Sequence, residues 1–284
     1  MKKDNLSISQ SLLKALTKYA EKKECGLKVE ALYIKGMKGI TTDAQALGNW
    51  FEYKCTGALP SYHPEIPVPK TLKSGKLSVA YERMLKQVEN YNYAIKHYNV
   101  TDIQTGVNMN WGNITGTADI IAKVNGKKSI IDIKTTALFD DKWNDYGWNT
   151  EHLAGEFRPK LTLLIQSLHY KWLYKNIYGE DLDFYFWVFS TTNQHDFKII
   201  KVNIEEDLYE EHANDIRMGL NYLMHNMKNG FNAIPNISRC AKCFLNETCE
   251  SKVKVPEVTF CKLFGITTFW SPVTLKAELT AKPL

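Results

Sequence analysis

The feature that most constrains this chain is the dipeptide Asn125-Gly126, set between two β-rich runs, Ile114 to Val124 and Lys128 to Lys134. Asn-Gly in that setting is the strongest short-range hairpin signal, because a two-residue turn of the primed type needs positive φ at both positions. Such a turn faces Val124 with Lys127, and counting back along both strands sets Asp119 opposite Asp132. Facing residues have Cβ atoms about 4.5–5.5 Å apart, so two carboxylates there cost stability unless something offsets their repulsion. Period-two alternation puts Lys134 on the face of Asp132 and sends Ile120, Ile131 and Ile133 to the opposite, core-facing side.

One polar face therefore gathers Asp119, Asp132 and Lys134, a set that suits phosphodiester hydrolysis. Oxygen-rich sites bind Mg²⁺ or Mn²⁺, and the metal activates water and neutralises charge developing on phosphate. Lys134 can orient that water or stabilise the crowded phosphorus centre, and the backbone carbonyl of Ile133 can add a metal ligand. The plainer reading is an exposed hairpin face on which Asp and Lys merely pair. Two aspartates opposed in register weigh against it.

The rest of the pattern alternates helices and strands. Ser7 with Gln10 makes a capping box, and apolar spacing from Ile8 to Tyr19 predicts an amphipathic helix from 8 to about 23, ended by Cys25-Gly26. Further helices are expected over Leu47 to Tyr53, Ser78 to Tyr98, Arg158 to Tyr178, and from a box of Asn203 with Glu206 to about Met227. Pro60, Pro64, Pro67 and Pro69 mark a loop between the first two of these, and Asp183 to Ser190 and Phe197 to Asn203 read as strands. This order argues one α/β domain with N- and C-terminal additions.

Composition excludes several classes. At 284 residues with 44% hydrophobic, 24% charged and 12% aromatic residues, the chain is neither disordered nor fibrous, and no apolar run is long enough to span a membrane. The N-terminus lacks an unbroken apolar h-region, which implies a cytoplasmic, reducing compartment, where cysteines serve more often as metal ligands than as disulfides. The net charge of +5 resides in residues 1–40, where nine Lys face Asp4, Glu21, Glu24 and Glu30. A basic N-terminal face suits a polyanion as well as it suits plain solvent.

Taken together, Gly116-Thr117-Ala118-Asp119, then Ile130-Ile131-Asp132-Ile133-Lys134, then Gln166-Ser167-Leu168-His169-Tyr170 resemble the PD-(D/E)XK nuclease superfamily and, within it, the RecB-like branch. The resemblance implies a restriction-endonuclease-like α/β core, a mixed central sheet flanked by helices. It assigns Gln166 and Tyr170, four apart on one helix face, to holding substrate near the metal. An upstream Gly-x-x-x-His element is matched by Gly48-Asn49-Trp50-Phe51-Glu52, with Glu52 in place of His, read as a third metal carboxylate.

Cys240-Ala241-Lys242-Cys243 followed by Cys249 supplies three thiolates, one short of the four that zinc or a [4Fe-4S] cluster needs. Their place after the last helix resembles the iron-sulfur staple of AddB-type and CRISPR-adaptation nucleases. In that arrangement the remaining ligand comes from near the N-terminus, which makes Cys25 the first choice and Cys55 the second. A zinc knuckle completed by His225 or Cys55 is the alternative, and Cys261 reads as a buried or free thiol. The expected boundaries are a nuclease domain over 1–250 (helical segment 1–46, core 47–229, cysteine cluster 230–250) and a tail, 251–284, in which Phe264, Phe269 and Trp270 suggest packing. The resemblance implies a Mg²⁺- or Mn²⁺-dependent DNA nuclease, an exonuclease on single strands or duplex ends in phage or bacterial recombination, repair or defence. Its rivals are a non-cleaving DNA-binding module of the same fold and a zinc-stabilised interaction protein.

Overall fold

A computed structural model of the chain describes residues 7–59, 65–139, 148 and 161–252, with the backbone of 261–263, 266–269 and 278–280. Pro60, Pro64, Arg158, Pro159, Phe264 and Trp270, and the side chains of Cys261 and Phe269, lie outside the described residues. In chain order the elements are β1 (Ile8–Ser9), α1 (Gln10–Ala20), α2 (Gly26–Val29) running into a π-helical stretch (Glu30–Ile34), α3 (Asp43–Thr56) and α4 (Val79–His97). There follow β2 (Thr101–Trp111), β3 (Ile114–Val124), β4 (Lys127–Thr136), α5 (Leu161–Tyr178), β5 (Asp183–Ser190), β6 (Phe197–Val202), α6 (Asp207–Asn229) and α7 (Ile237–Cys240), then β7 (Cys261–Leu263), β8 (Ile266–Phe269) and β9 (Glu278–Thr280). They fall into two units, one of Met1–Ala20 with Ile40–Gly230, the other of Glu21–Gly39 with Phe231–Leu284.

The first unit is built on a six-stranded mixed sheet whose centre is the expected hairpin. Asn125 and Gly126 take φ of 49° and 81°, and the pairing runs from Val124↔Lys127 to Ile120↔Ile131. There it stops, one pair short of the expected Asp119–Asp132 match. Beyond that point β4 runs on beside β5 alone, its other edge paired parallel from Ser129↔Asp183 to Thr136↔Ser190. In place of a backbone carbonyl, the Asp119 carboxylate then accepts the Ile133 N–H at 2.8 Å. Because β2 pairs antiparallel along β3 from Thr101↔Lys123 to Trp111↔Ile114, β1 and β4 must share the other edge, and β1 takes the vacated end, parallel at Ile8↔Ile114 and Ser9↔Thr115. β3 thus stands at a fork, with Asp119 between its two arms.

Alternation sorts the two faces of this sheet. Ile120, Ala122, Ile131, Ile133, Trp187 and Phe189 pack with Trp50, Phe51, Tyr81, Met84 and Tyr91 of α3 and α4, each side chain contributing roughly 1.5–3 kcal/mol of burial. Asp132, on the other face of β4, meets α5 through Gln166. This core supplies the stability against which a buried carboxylate is tolerated.

Several local expectations change. Ser9, not Ser7, caps α1, accepting from Leu12 N at 3.2 Å, because β1 draws Ile8 and Ser9 into the sheet. The helix ends at Ala20, short of 23, and Lys22 takes a positive φ of 58°. α3 starts at Asp43, earlier than Leu47, under a capping box of Thr42 with Gln45. The Asn203–Glu206 box does not form: α6 begins at Asp207 with no side-chain cap, and Glu206 is drawn to Lys175 at 2.9 Å. β2 was not foreseen, although Ile103, Thr105, Val107, Met109 and Trp111 alternate with polar residues. In the second unit the start of α2 is tied to the segment ahead of α7, Gly26 N–H donating to Asn232 O at 3.0 Å, and β7–β9 form a three-stranded antiparallel sheet.

Candidate active site

Asp132 is fully buried on β4. Its Oδ1 accepts from Gln166 Nε2 at 2.6 Å, and its Oδ2 faces the Lys134 ammonium as an ion pair, with no other partner among the described residues. Burial raises the Asp132 pKa, opposed by the Lys134 charge and by the bonds from Lys134 and Gln166. Asp119 is held well above the usual carboxylate range by burial first and then by the charges of Asp132 and Glu52, against Lys134 and the Ile133 N–H. Burial pulls Lys134 down, but Asp132 and Asp119 overrule it and hold the ammonium firmly protonated. The pairing of aspartate with lysine is thus present, but the plainer reading of an exposed hairpin face is not.

Glu52 reaches the same field from α3. Burial pushes its carboxyl up to about 7, Lys134 opposes, and Asp132 adds to the rise. Gly48, one helical turn earlier, explains how α3 comes so close: a Cβ there would stand 3.1 Å from Thr135 Oγ1 on β4. The two ends of the Gly-x-x-x-Glu element have separate tasks, one giving way to the strand and the other supplying charge.

On α5, Gln166 and Tyr170 sit one turn apart as expected, Gln166 bonded to Asp132 and Tyr170 buried at the sheet. Tyr170 packs over Gly116, where a Cβ would meet its ring at 3.1 Å. Burial, followed by Asp132 and Asp119, pushes its phenol pKa up. Between them lies a residue to which the sequence assigned no role. His169 is buried, with Nε2 3.0 Å from Thr115 O and Nδ1 3.1 Å from Nε2 of buried His212 on α6. A carbonyl only accepts, so His169 Nε2 carries the proton and Nδ1 accepts from His212. Burial keeps both rings neutral, lowering His169 to about 4 and, with help from His169, His212 to about 3. The pair fastens α5 to β3 beside Gly116 and so fixes where Gln166 and Tyr170 point.

The second unit holds a different constellation. Cys25, Cys240, Cys243 and Cys249 all line one cavity of about 220 Å³. Cys25 precedes α2, while tight turns space the others: Cys240 N–H donates to Asn236 O at 2.8 Å, Cys243 N–H to Cys240 O at 3.1 Å and Cys249 N–H to Leu245 O at 2.8 Å. Arg239 lines the same cavity and buries Nη1 without a hydrogen-bond partner. Cys55 belongs to the first unit, where it packs half-buried on the core and burial raises its thiol pKa. His225 lies on α6 of that unit, 3.2 Å from Asn229. Among the described residues, no three Cys, His, Asp or Glu side chains converge on one point as a ready metal cage. The carboxylate oxygens are instead engaged by Lys134, Gln166 and the Ile133 N–H, and the thiols ring a cavity.

A family model described as a PDDEXK-like domain of unknown function, DUF3799, matches residues 9–249. The chain belongs to this PDDEXK-like family. Its match spans the fork, α5 and the four cavity cysteines alike. Among solved structures the PDDEXK-like fold of this chain is similar to that of a protein described as "Putative exonuclease" from Eubacterium rectale, at 19% identity, with 80% of this chain and 83% of that one covered and a TM-score of 0.57. A likeness to SSO0001, at 16% identity over 89% of this chain and 90% of that one, has a TM-score of 0.39 and carries no weight. No curated protein matches the sequence. Among the described residues no helix is long and apolar enough to cross a membrane.

Proposed function

We propose that the chain is a metal-dependent nuclease, hydrolysing phosphodiester bonds in DNA as an exonuclease on single strands or duplex ends. The observation that carries this reading is the fork in the sheet, where Glu52, Asp119, Asp132 and Lys134 act on one another's ionisation while Asp132 is fully buried. Three crowded carboxylates, with Asp132 raising the pKa of both Asp119 and Glu52, are a poor arrangement for stability and a good one for a hard divalent cation. Glu52, Asp119, Asp132 and the Ile133 carbonyl would hold Mg²⁺ or Mn²⁺, which when bound supplies a Lewis acid for the phosphate and lowers the pKa of water. Lys134 keeps its proton, so it serves as a fixed positive charge toward a phosphate oxygen. Gln166, by holding Asp132 Oδ1, aims the carboxylate, and Tyr170 walls the site against water. The membership and the structural likeness support a nuclease of this fold, and the ionisable set intact at all four positions favours cleavage over a non-cleaving binding module.

The cysteine cavity supports the second part of the proposal, a [4Fe-4S] cluster on Cys25, Cys240, Cys243 and Cys249. Four thiols around one cavity beside an unanswered guanidinium fit an anionic group, and zinc in a four-thiolate site is the alternative chemistry. The decisive experiment incubates the protein, purified without air, with end-labelled and circular DNA, single- and double-stranded, plus Mg²⁺ or Mn²⁺. Cleavage from labelled ends that spares circles is the expected result, and no cleavage of any substrate overturns the reading. A brown protein absorbing near 400 nm is the expected cluster signature, whereas a colourless zinc protein would replace the cluster.

A further inference from the structure

Several lysines of the first unit have an acidic answer: Lys127 meets Asp183 at 3.0 Å, Lys128 meets Glu180 at 3.1 Å and Lys175 meets Glu206 at 2.9 Å. Lys14 on α1 has none. It is half-buried, without a hydrogen bond or ion pair among the described residues. Burial lowers its pKa, and the charges of Lys18 and Lys134, both cations, lower it further. Lys14 lies four residues after Gln10 and four before Lys18, so these three share the helix face opposite buried Leu12, Leu16 and Tyr19. Helix α1 packs against α5, and just ahead of it Ser9 pairs with Thr115, whose carbonyl holds His169. The helix that carries Lys14 therefore abuts the helix of Gln166 and Tyr170, and the Lys134 charge reaches Lys14.

A half-buried ammonium among like charges is unfavourable by itself and becomes favourable when an anion completes it. We propose that Lys14 and Lys18 form a phosphate-binding subsite for the backbone of a nucleic-acid strand entering the Asp119–Asp132 site. The subsite rests on the nuclease reading of that site. A phosphodiester carries one negative charge and two accepting oxygens, which two lysines one helical turn apart can share. The ligand is either a phosphate within the strand or a terminal 5′-phosphate, and both have this chemistry.

The test measures binding of a fluorescent single-stranded oligonucleotide, bearing a 5′-phosphate or a 5′-hydroxyl, in EDTA over a series of salt concentrations, for wild type, Lys14→Ala, Lys18→Ala and Lys14→Arg. Cleavage kinetics with Mg²⁺ or Mn²⁺ and thermal melts accompany it. Each alanine variant is expected to bind about tenfold more weakly, with a salt slope shallower by roughly 0.7, the share of one phosphate contact on a single strand. KM rises while kcat stays near wild type, and Lys14→Arg retains most of the affinity. A loss confined to 5′-phosphorylated strands assigns the subsite to the terminal phosphate, and an equal loss on both assigns it to the backbone. Wild-type affinity and salt slope in both alanine variants would overturn the subsite, as would Lys14→Arg binding as weakly as Lys14→Ala. A wild-type protein that binds but cuts nothing sinks the nuclease reading, and the binding series still decides the subsite.

Discussion

A carboxylate with no exposed surface persists only where charge or hydrogen bonds answer it, and Asp132 has Lys134 and Gln166 for that purpose. Asp119 and Glu52 are less well answered, which makes their removal informative. Asp119→Asn should keep the acceptor for Ile133 N–H while deleting the repulsion with Asp132, so its melting temperature without metal should exceed wild type while cleavage falls on the order of a hundredfold or more. Unchanged cleavage would remove Asp119 from the site. Glu52 gives a pH signature. Its folded pKa of about 7 lies above the ordinary carboxylate value of 4.5, so the folded state binds the extra proton between those values and stability is lost as pH rises through that window. Glu52→Gln should therefore match wild type near pH 4 and be the more stable protein above pH 7, as read by urea denaturation at both ends. An advantage that grew toward acid instead would contradict the assigned environment.

At the scale of elements, two glycines decide how closely helices approach the fork. Gly48→Ala pushes a methyl against Thr135 Oγ1 and Gly116→Ala pushes one into the Tyr170 ring, each at 3.1 Å. Such overpacking costs about 1–3 kcal/mol, and either substitution should lower kcat by moving Glu52 or Tyr170 rather than by removing a reacting group. Gln166→Ala and Tyr170→Phe are expected to slow single-turnover cleavage while leaving Mn²⁺ affinity, measured by calorimetry, within a few-fold of wild type. Lost Mn²⁺ affinity would instead place them among the ligands. The hairpin, its register and the helix face of Gln166 and Tyr170 were legible because turn chemistry and periodicity are local. The fork was not, since it depends on β1, more than a hundred residues before the hairpin's far end, pairing with Ile114 and Thr115 of β3 where β4 has parted from it. Glu206 shows the same limit, its capping role lost to distant Lys175. The task of His169 was hidden because its two partners, Thr115 and His212, come from other elements.

For the whole molecule, division into two units separates chemistry at the fork from the cysteine cavity. The thiols allow a clean comparison: Cys25→Ser should lose the bound metal, by iron, sulfide and zinc analysis, whereas Cys55→Ser should keep it because that thiol packs on the first unit's core. Loss in Cys55→Ser alone would reverse the choice of ligand. The spacing of Cys240, Cys243 and Cys249 was legible as a motif, but the partnership of Cys25 with them rested on resemblance alone, because no local pattern links positions so far apart. That distance also sets a schedule for biogenesis. The second unit is assembled from Glu21–Gly39 and Phe231–Leu284, so during translation its first segment leaves the ribosome while residues 40–230 are still to be made. At about 5–20 residues per second, Cys25 waits on the order of ten to forty seconds for its partners. Any group needing all four thiols is loaded only after the last strand and helix of the sheet unit have been synthesised, so its arrival marks a first unit whose residues are all made.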